Sequence, residues 1–162
     1  MRAFHAAVAA ISLFCAALAS VLLAVAGLII VWMVTWRSLG NSTSWELELS
    51  IFLMVASLFL ASPFTLLTKG HVGVDLLPHY LSSKNAQRLQ TFTHFLGLAI
   101  CLFLTWYCFQ FALEAYIKND RTESVWAPPK WPLYATMPIG LGLTALQYVS
   151  LLTSPPAKTE AY

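Results

Sequence analysis

Two carboxylates set inside long apolar runs, Glu48 and Glu114, carry the most obvious chemical potential in this chain. A carboxylate at bilayer depth is expensive, and it either pairs or works in an ion or proton path. Glu48 lies about one turn inside its run and Glu114 about one turn before the end of its own, so water and cations are close to both. Arg37, across a short loop, is the natural partner for Glu48, and Lys118, four residues on, for Glu114. Pairing is the favoured reading over a relay.

Histidine chemistry is harder to build. His94 is the histidine nearest an apolar run, with His5, His71 and His79 outside the runs. A haem held between helices requires two histidines at matched depth, and only one is offered. The cysteines, Cys15, Cys101 and Cys108, all lie in apolar runs, where cysteine packs as a small apolar residue. Their spacing matches no disulfide or metal framework. No glycine-rich phosphate loop and no Ser/His/Asp or Cys/His arrangement is present, which argues against an enzyme. The central stretches of the apolar runs are nearly bare of polar groups, apart from hydroxyls such as Thr105 and the amide of Gln110. Transport sites are usually built at midplane on broken helices in repeated halves, so a subunit working beside a partner is the better physical reading.

The elements that position these residues follow from hydropathy. Hydrophobic residues make up 59% of the chain and charged residues 10%, where a soluble domain carries roughly 25% charged. A bilayer core of about 30 Å takes about 20 apolar residues as helix, with every backbone group satisfied internally. Four blocks qualify, at about 8–34, 47–67, 92–117 and 133–152. The first is too long for the h-region of a cleaved signal peptide, so it reads as a span. The expected fold is an all-α integral membrane domain over residues 1–153, with four transmembrane helices and a disordered cytoplasmic tail at 154–162.

Local signals refine this plan. Thr43 followed by Glu46 reads as a capping box opening the second span, and Pro63 sits near that span's end. Residues 72–83 suit a short helix lying in the interface between the second and third spans, with Asp75 as its N-cap. Ser83 caps the third helix. Ala127, Pro128 and Pro129 make the last loop extended rather than helical. Pro138 and Gly140 fall in the first half of the last span.

Orientation is only weakly encoded. Arg2, Lys69, Lys84, Arg88 and Lys158 share one side; Arg37, Lys118, Arg121 and Lys130 share the other. The net +2 of the longer loop and the basic start favour both termini in the cytoplasm. Trp32, Trp36, Trp45, Trp126 and Trp131 map to the opposite face with Tyr116 and Tyr134, as an interfacial belt or a protein contact. The net charge of +2 is too small and too scattered for a nucleic-acid partner.

Three stretches resemble a known family. Residues 44–50 (Ser-Trp-Glu-Leu-Glu-Leu-Ser) resemble its opening of the second span. Residues 69–77, with Gly70, His71, Val74 and Asp75, are similar to its "G-H-x-x-V-D" signature. Residues 131–140, with Trp131, Pro138 and Gly140, are similar to its entry into the last span. The family is the small membrane (Q) subunit of tripartite ATP-independent periplasmic (TRAP) transporters. The resemblance implies a bacterial or archaeal inner-membrane protein that transports nothing alone. Its implied partners are a large multi-span membrane subunit, a periplasmic substrate-binding protein and the lipid bilayer. Sodium and organic-anion sites would lie on the large subunit, leaving this chain without a cofactor and acting as scaffold. The candidate interface or structural residues are then Arg37, Trp45, Glu46, Glu48, His71, Asp75, Glu114, Trp131 and Pro138. Two alternatives from other classes are a haem-bearing membrane anchor of a respiratory complex and a free-standing small channel.

Overall fold

A computed structural model of the chain describes residues 2–68 and 83–153. The expected interfacial helix, with His71 and Asp75, and the expected tail at 154–162 lie outside the described residues. Four helices are present: α1 (Arg2–Ser38), α2 (Glu46–Leu67), α3 (Ser83–Ile117) and α4 (Trp131–Thr153). All four are long and apolar enough to cross a membrane. At 1.5 Å per residue α1 is about 55 Å long, so it overhangs a bilayer core of about 30 Å.

Helix α2 packs between α1 and α4, and α3 packs on the other side of α4, with a lighter contact between α1 and α4. The interior is built from small and polar side chains. On α1 the buried residues Val8, Ser12, Cys15, Ala19 and Ala26 repeat at helical spacing and form one narrow stripe. Ser50 and Ser57 of α2 and Thr144 of α4 are buried as well. The large side chains point outward on all four helices, among them Phe14, Leu28, Leu58 and Phe103. In water such a surface would aggregate. In a bilayer it is the expected arrangement, because lipid is as apolar as leucine and helices gain by close approach at small residues.

Close approach is sharpest between α2 and α4. A Cβ placed on Gly140 would stand 2.3 Å from the Phe59 backbone oxygen. Phe59 is four residues before Pro63, and proline supplies no N–H to that carbonyl. The proline withholds the usual donor from that carbonyl, and the glycine lets the α4 backbone come up against it.

One turn further, the Thr144 hydroxyl lies 2.9 Å from Ser62 Oγ and 2.8 Å from the Gly140 carbonyl of its own helix. Next, Gln147 Oε1 lies 3.4 Å from Ser12 Oγ, and Ser150 Oγ lies 2.6 Å from His5 Nδ1. Gly140, Thr144, Gln147 and Ser150 therefore form one polar seam that joins α4 to both α2 and α1. Gln147, only 2% exposed, is a polar group that hydropathy alone does not single out. Its 4-3 spacing from Gly140 and Thr144 was the available signal.

Candidate functional site

The loops at residues 39–45 and 118–130 meet at one end of the bundle, and most of the candidate residues gather there. Each preceding helix is closed by a residue with positive φ. Gly40 (φ 85°) follows α1, with Gly40 N donating to the Arg37 carbonyl (3.1 Å) and Asn41 N to the Trp36 carbonyl (3.4 Å). Asn119 (φ 50°) does the same after α3, where Asn119 N and Asp120 N donate to the Tyr116 and Ala115 carbonyls. Both are Schellman closures, which satisfy orphan carbonyls and turn the chain sharply.

Glu46 is the first residue of α2 and is 6% exposed. Its Oε2 accepts hydrogen bonds from the backbone N–H groups of Ser44 (3.0 Å) and Trp45 (3.1 Å). The carboxylate thus reaches back as a capping box requires, but the partner differs from expectation. Trp45 occupies the cap position and no side chain caps the helix, so Thr43 does not play that part. A negative charge here also complements the positive end of the helix dipole.

Glu48 is half-buried and does not pair with Arg37, correcting the sequence expectation. Its Oε2 accepts a hydrogen bond from Ser124 Oγ at 2.7 Å, in the opposite loop. Arg37 is exposed in the last turn of α1, where its charge suits the negative helix end. The reason for the change is the shape of the second loop. Thr122 N donates to the Pro128 carbonyl (3.1 Å) and Lys130 N to the Asp120 carbonyl (2.9 Å), folding residues 120–130 back on themselves. Ser124 Oγ also accepts from Ala127 N at 3.1 Å, which holds Ala127 in the left-handed region at φ 44°. As expected, residues 127–129 are not helical, and Pro129 forms an antiparallel bridge with Arg121; the turn at Ala127 doubles the loop back and brings Ser124 to the start of α2.

Glu114 pairs with Lys118 as expected, one turn apart on the exposed face of α3. The Glu114 carboxylate holds the Lys118 ammonium above its ordinary range, first through the hydrogen bond and then through charge attraction. A raised lysine value stabilises fully at neutral pH and fades only as pH climbs through the lysine range. Both groups are more than half exposed, so the pair contributes little.

Aromatic rings finish this end. Trp32 stacks on Trp36 at 5.3 Å, Trp45 meets Trp126 at 6.3 Å across the two loops, and Tyr116 meets Trp131 edge-on at 5.7 Å. Of the sequence candidates, Trp45, Glu46 and Glu48 come together with Ser124 and Trp126; Trp131 stands against the end of α3, which carries Glu114; Arg37 stands apart. Ser124 was missed, because a loop serine carries no signal until the loop's path is known. Pro138 lies away from this end, half-exposed on α4, beside a groove of about 400 Å³ between α3 and α4.

These features define a multi-pass membrane protein of four packed helices, tied across its two loops at one end. A scan of family models matches residues 26–154 to tripartite ATP-independent periplasmic transporters, DctQ component. The chain belongs to this family, which is a transporter component and not an enzyme family. Searches of curated proteins and of solved structures return no match.

Proposed function

We propose that this chain is the small permease subunit that braces the large transport subunit of a sodium-driven, binding-protein-dependent importer of organic anions. Membership of the DctQ family carries the reading, and among the three classes weighed it selects the transporter subunit. The packing supports the scaffold role. Among the described residues, every buried polar side-chain atom has a hydrogen-bond partner, so the interior presents its polar groups already committed. Transport paths are usually marked by ionisable groups deep in the spans, and the carboxylates within these helices, Glu46, Glu48 and Glu114, all lie near helix ends. Sodium and substrate belong, in this reading, to the large subunit, and a periplasmic binding protein delivers the anion.

The protein sits in the bacterial or archaeal inner membrane with both termini cytoplasmic. The charge tally and the basic start motivate that orientation. The test is purification of the tagged chain from native membranes. It is expected to bring down a much larger polytopic subunit. In the same cells, cysteines replacing Ser42 and Ser83 are expected to label from outside and from inside, respectively. Recovery of the chain without any larger membrane subunit contradicts the reading, and outside labelling at position 83 reverses the orientation.

A further inference from the structure

Helix α3 differs from the other three. In its most apolar stretch no residue is buried, and it packs substantially on α4 alone. The face it turns to α4 is clear: Gly97 lies under the Tyr148 ring, the His94 ring is 6.1 Å from that of Tyr148, and Phe111 meets Tyr134 at 4.6 Å. A second stripe runs down the helix away from that face, through Phe103, Trp106, Gln110, Leu113 and Ile117. The steps of three, four, three and four residues are those of a heptad seam, the pattern that presses one helix against another. All five residues are exposed, Trp106 at 63% and Ile117 at 78%.

Gln110 decides what covers this stripe. It lies about 10 Å inside the end of the span, is exposed, and has no hydrogen-bond partner among the described residues. The other spanning amide, Gln147, is buried and bonded within the chain. Acyl chains offer an amide neither donor nor acceptor, whereas a facing helix does, and one polar residue in an apolar seam fixes which partner fits and in what register. Beside Trp106 the groove between α3 and α4 is lined by Leu102, Phe109, Pro138 and Ile139. Its Thr105 hydroxyl is already bonded to the Cys101 carbonyl at 2.7 Å. The groove therefore accepts an apolar side chain, as a hole beside the seam would.

We infer that the outward stripe of α3 is the seat of a transmembrane helix of the large membrane subunit, which places a hydrogen-bonding side chain opposite Gln110 and an apolar one in the groove against Pro138. The inference rests on the transporter-subunit reading, because a component of a tripartite system works beside another membrane component. That favours a different chain over a second copy of this one.

The test uses the intact complex in native membranes. A photo-crosslinking residue is placed at the position of Phe103, Trp106 or Ile117, with Phe14 and Leu28 on the exposed face of α1 as comparison positions. All are exposed, so folding should survive. The α3 positions are expected to yield adducts with the large subunit, and the α1 positions only lipid adducts. In parallel, Gln110→Leu keeps the volume and is expected to lower recovery of the large subunit about threefold, the worth of one interhelical hydrogen bond in a bilayer. Lipid adducts alone from α3, or an adduct at twice this chain's mass, overturn the inference. If the large subunit copurifies with the wild-type chain in such a case, the scaffold reading survives without it. If no large subunit copurifies at all, both fall.

Discussion

Gly140→Ala should cost the fold about 1–3 kcal/mol, the usual penalty for inserting a methyl group where packed backbone must move. The new methyl would stand 2.3 Å from the Phe59 oxygen, with the Phe59 carbonyl carbon at 2.6 Å. Neither atom can swing aside as a flexible side chain would, so α2 and α4 must separate. Separation also stretches the neighbouring Thr144–Ser62 contact. Glycine is ordinarily a poor helix former, so the same change elsewhere should help by up to about 1 kcal/mol. Gly142 supplies that comparison two residues away, since its Cβ would meet only the Thr105 methyl at an ordinary 3.8 Å. Thermal unfolding in detergent is expected to drop for Gly140→Ala and to hold or rise for Gly142→Ala. Equal behaviour of the two would contradict the close approach.

Glu46→Ala should be the most damaging single change at the loop end. A hydrogen bond to a charged group is worth about 1.5–3 kcal/mol, and two backbone N–H groups lose their acceptor together. Water at the helix end reaches part of that site, so a net loss of about 2 kcal/mol is expected. Glu46→Gln keeps one oxygen acceptor and should recover about half. Glu48→Ala removes one bond to a carboxylate instead of two, at a half-buried position where water can replace it, so its cost should be nearer 1 kcal/mol. Its effect should appear as looser protease protection of the 118–130 loop rather than as global unfolding. The same three variants, assayed for uptake in the complex, are expected to leave substrate and sodium preference unchanged. A shift in preference with assembly intact would put a carboxylate in the transport path.

The helices were legible because bilayer thickness imposes a length and composition that little else imitates; each of the four apolar blocks lies within one helix. Glu46 was legible in kind, since a carboxylate three residues after a threonine marks a helix start. Its partners were not, because the cap position depends on where the Schellman turn at Gly40 releases the chain. The pairing of Glu48 was misread for a related reason. Arg37 is near in sequence, whereas Ser124 is 76 residues away and arrives only through a turn pinned at Ala127. The seam of Thr144, Gln147 and Ser150 also escaped notice, as scattered polar residues in an apolar run declare a face only once their neighbours are known. Pro138 and Gly140 stood out through family resemblance. The structure adds the physical cause for Gly140: it meets the Phe59 carbonyl, to which Pro63 has no N–H to donate.

Whether this chain is required for transport while carrying nothing itself is decided by reconstitution. The large membrane subunit copurified with it is placed in liposomes under an inward sodium gradient, with the substrate-loaded binding protein outside. The chain is included, omitted, or reconstituted alone. Uptake is expected only when both membrane subunits are present, with no solute or sodium flux from this chain alone. Flux through the chain alone, or full uptake when it is omitted, would show that it is not a scaffold for the large subunit.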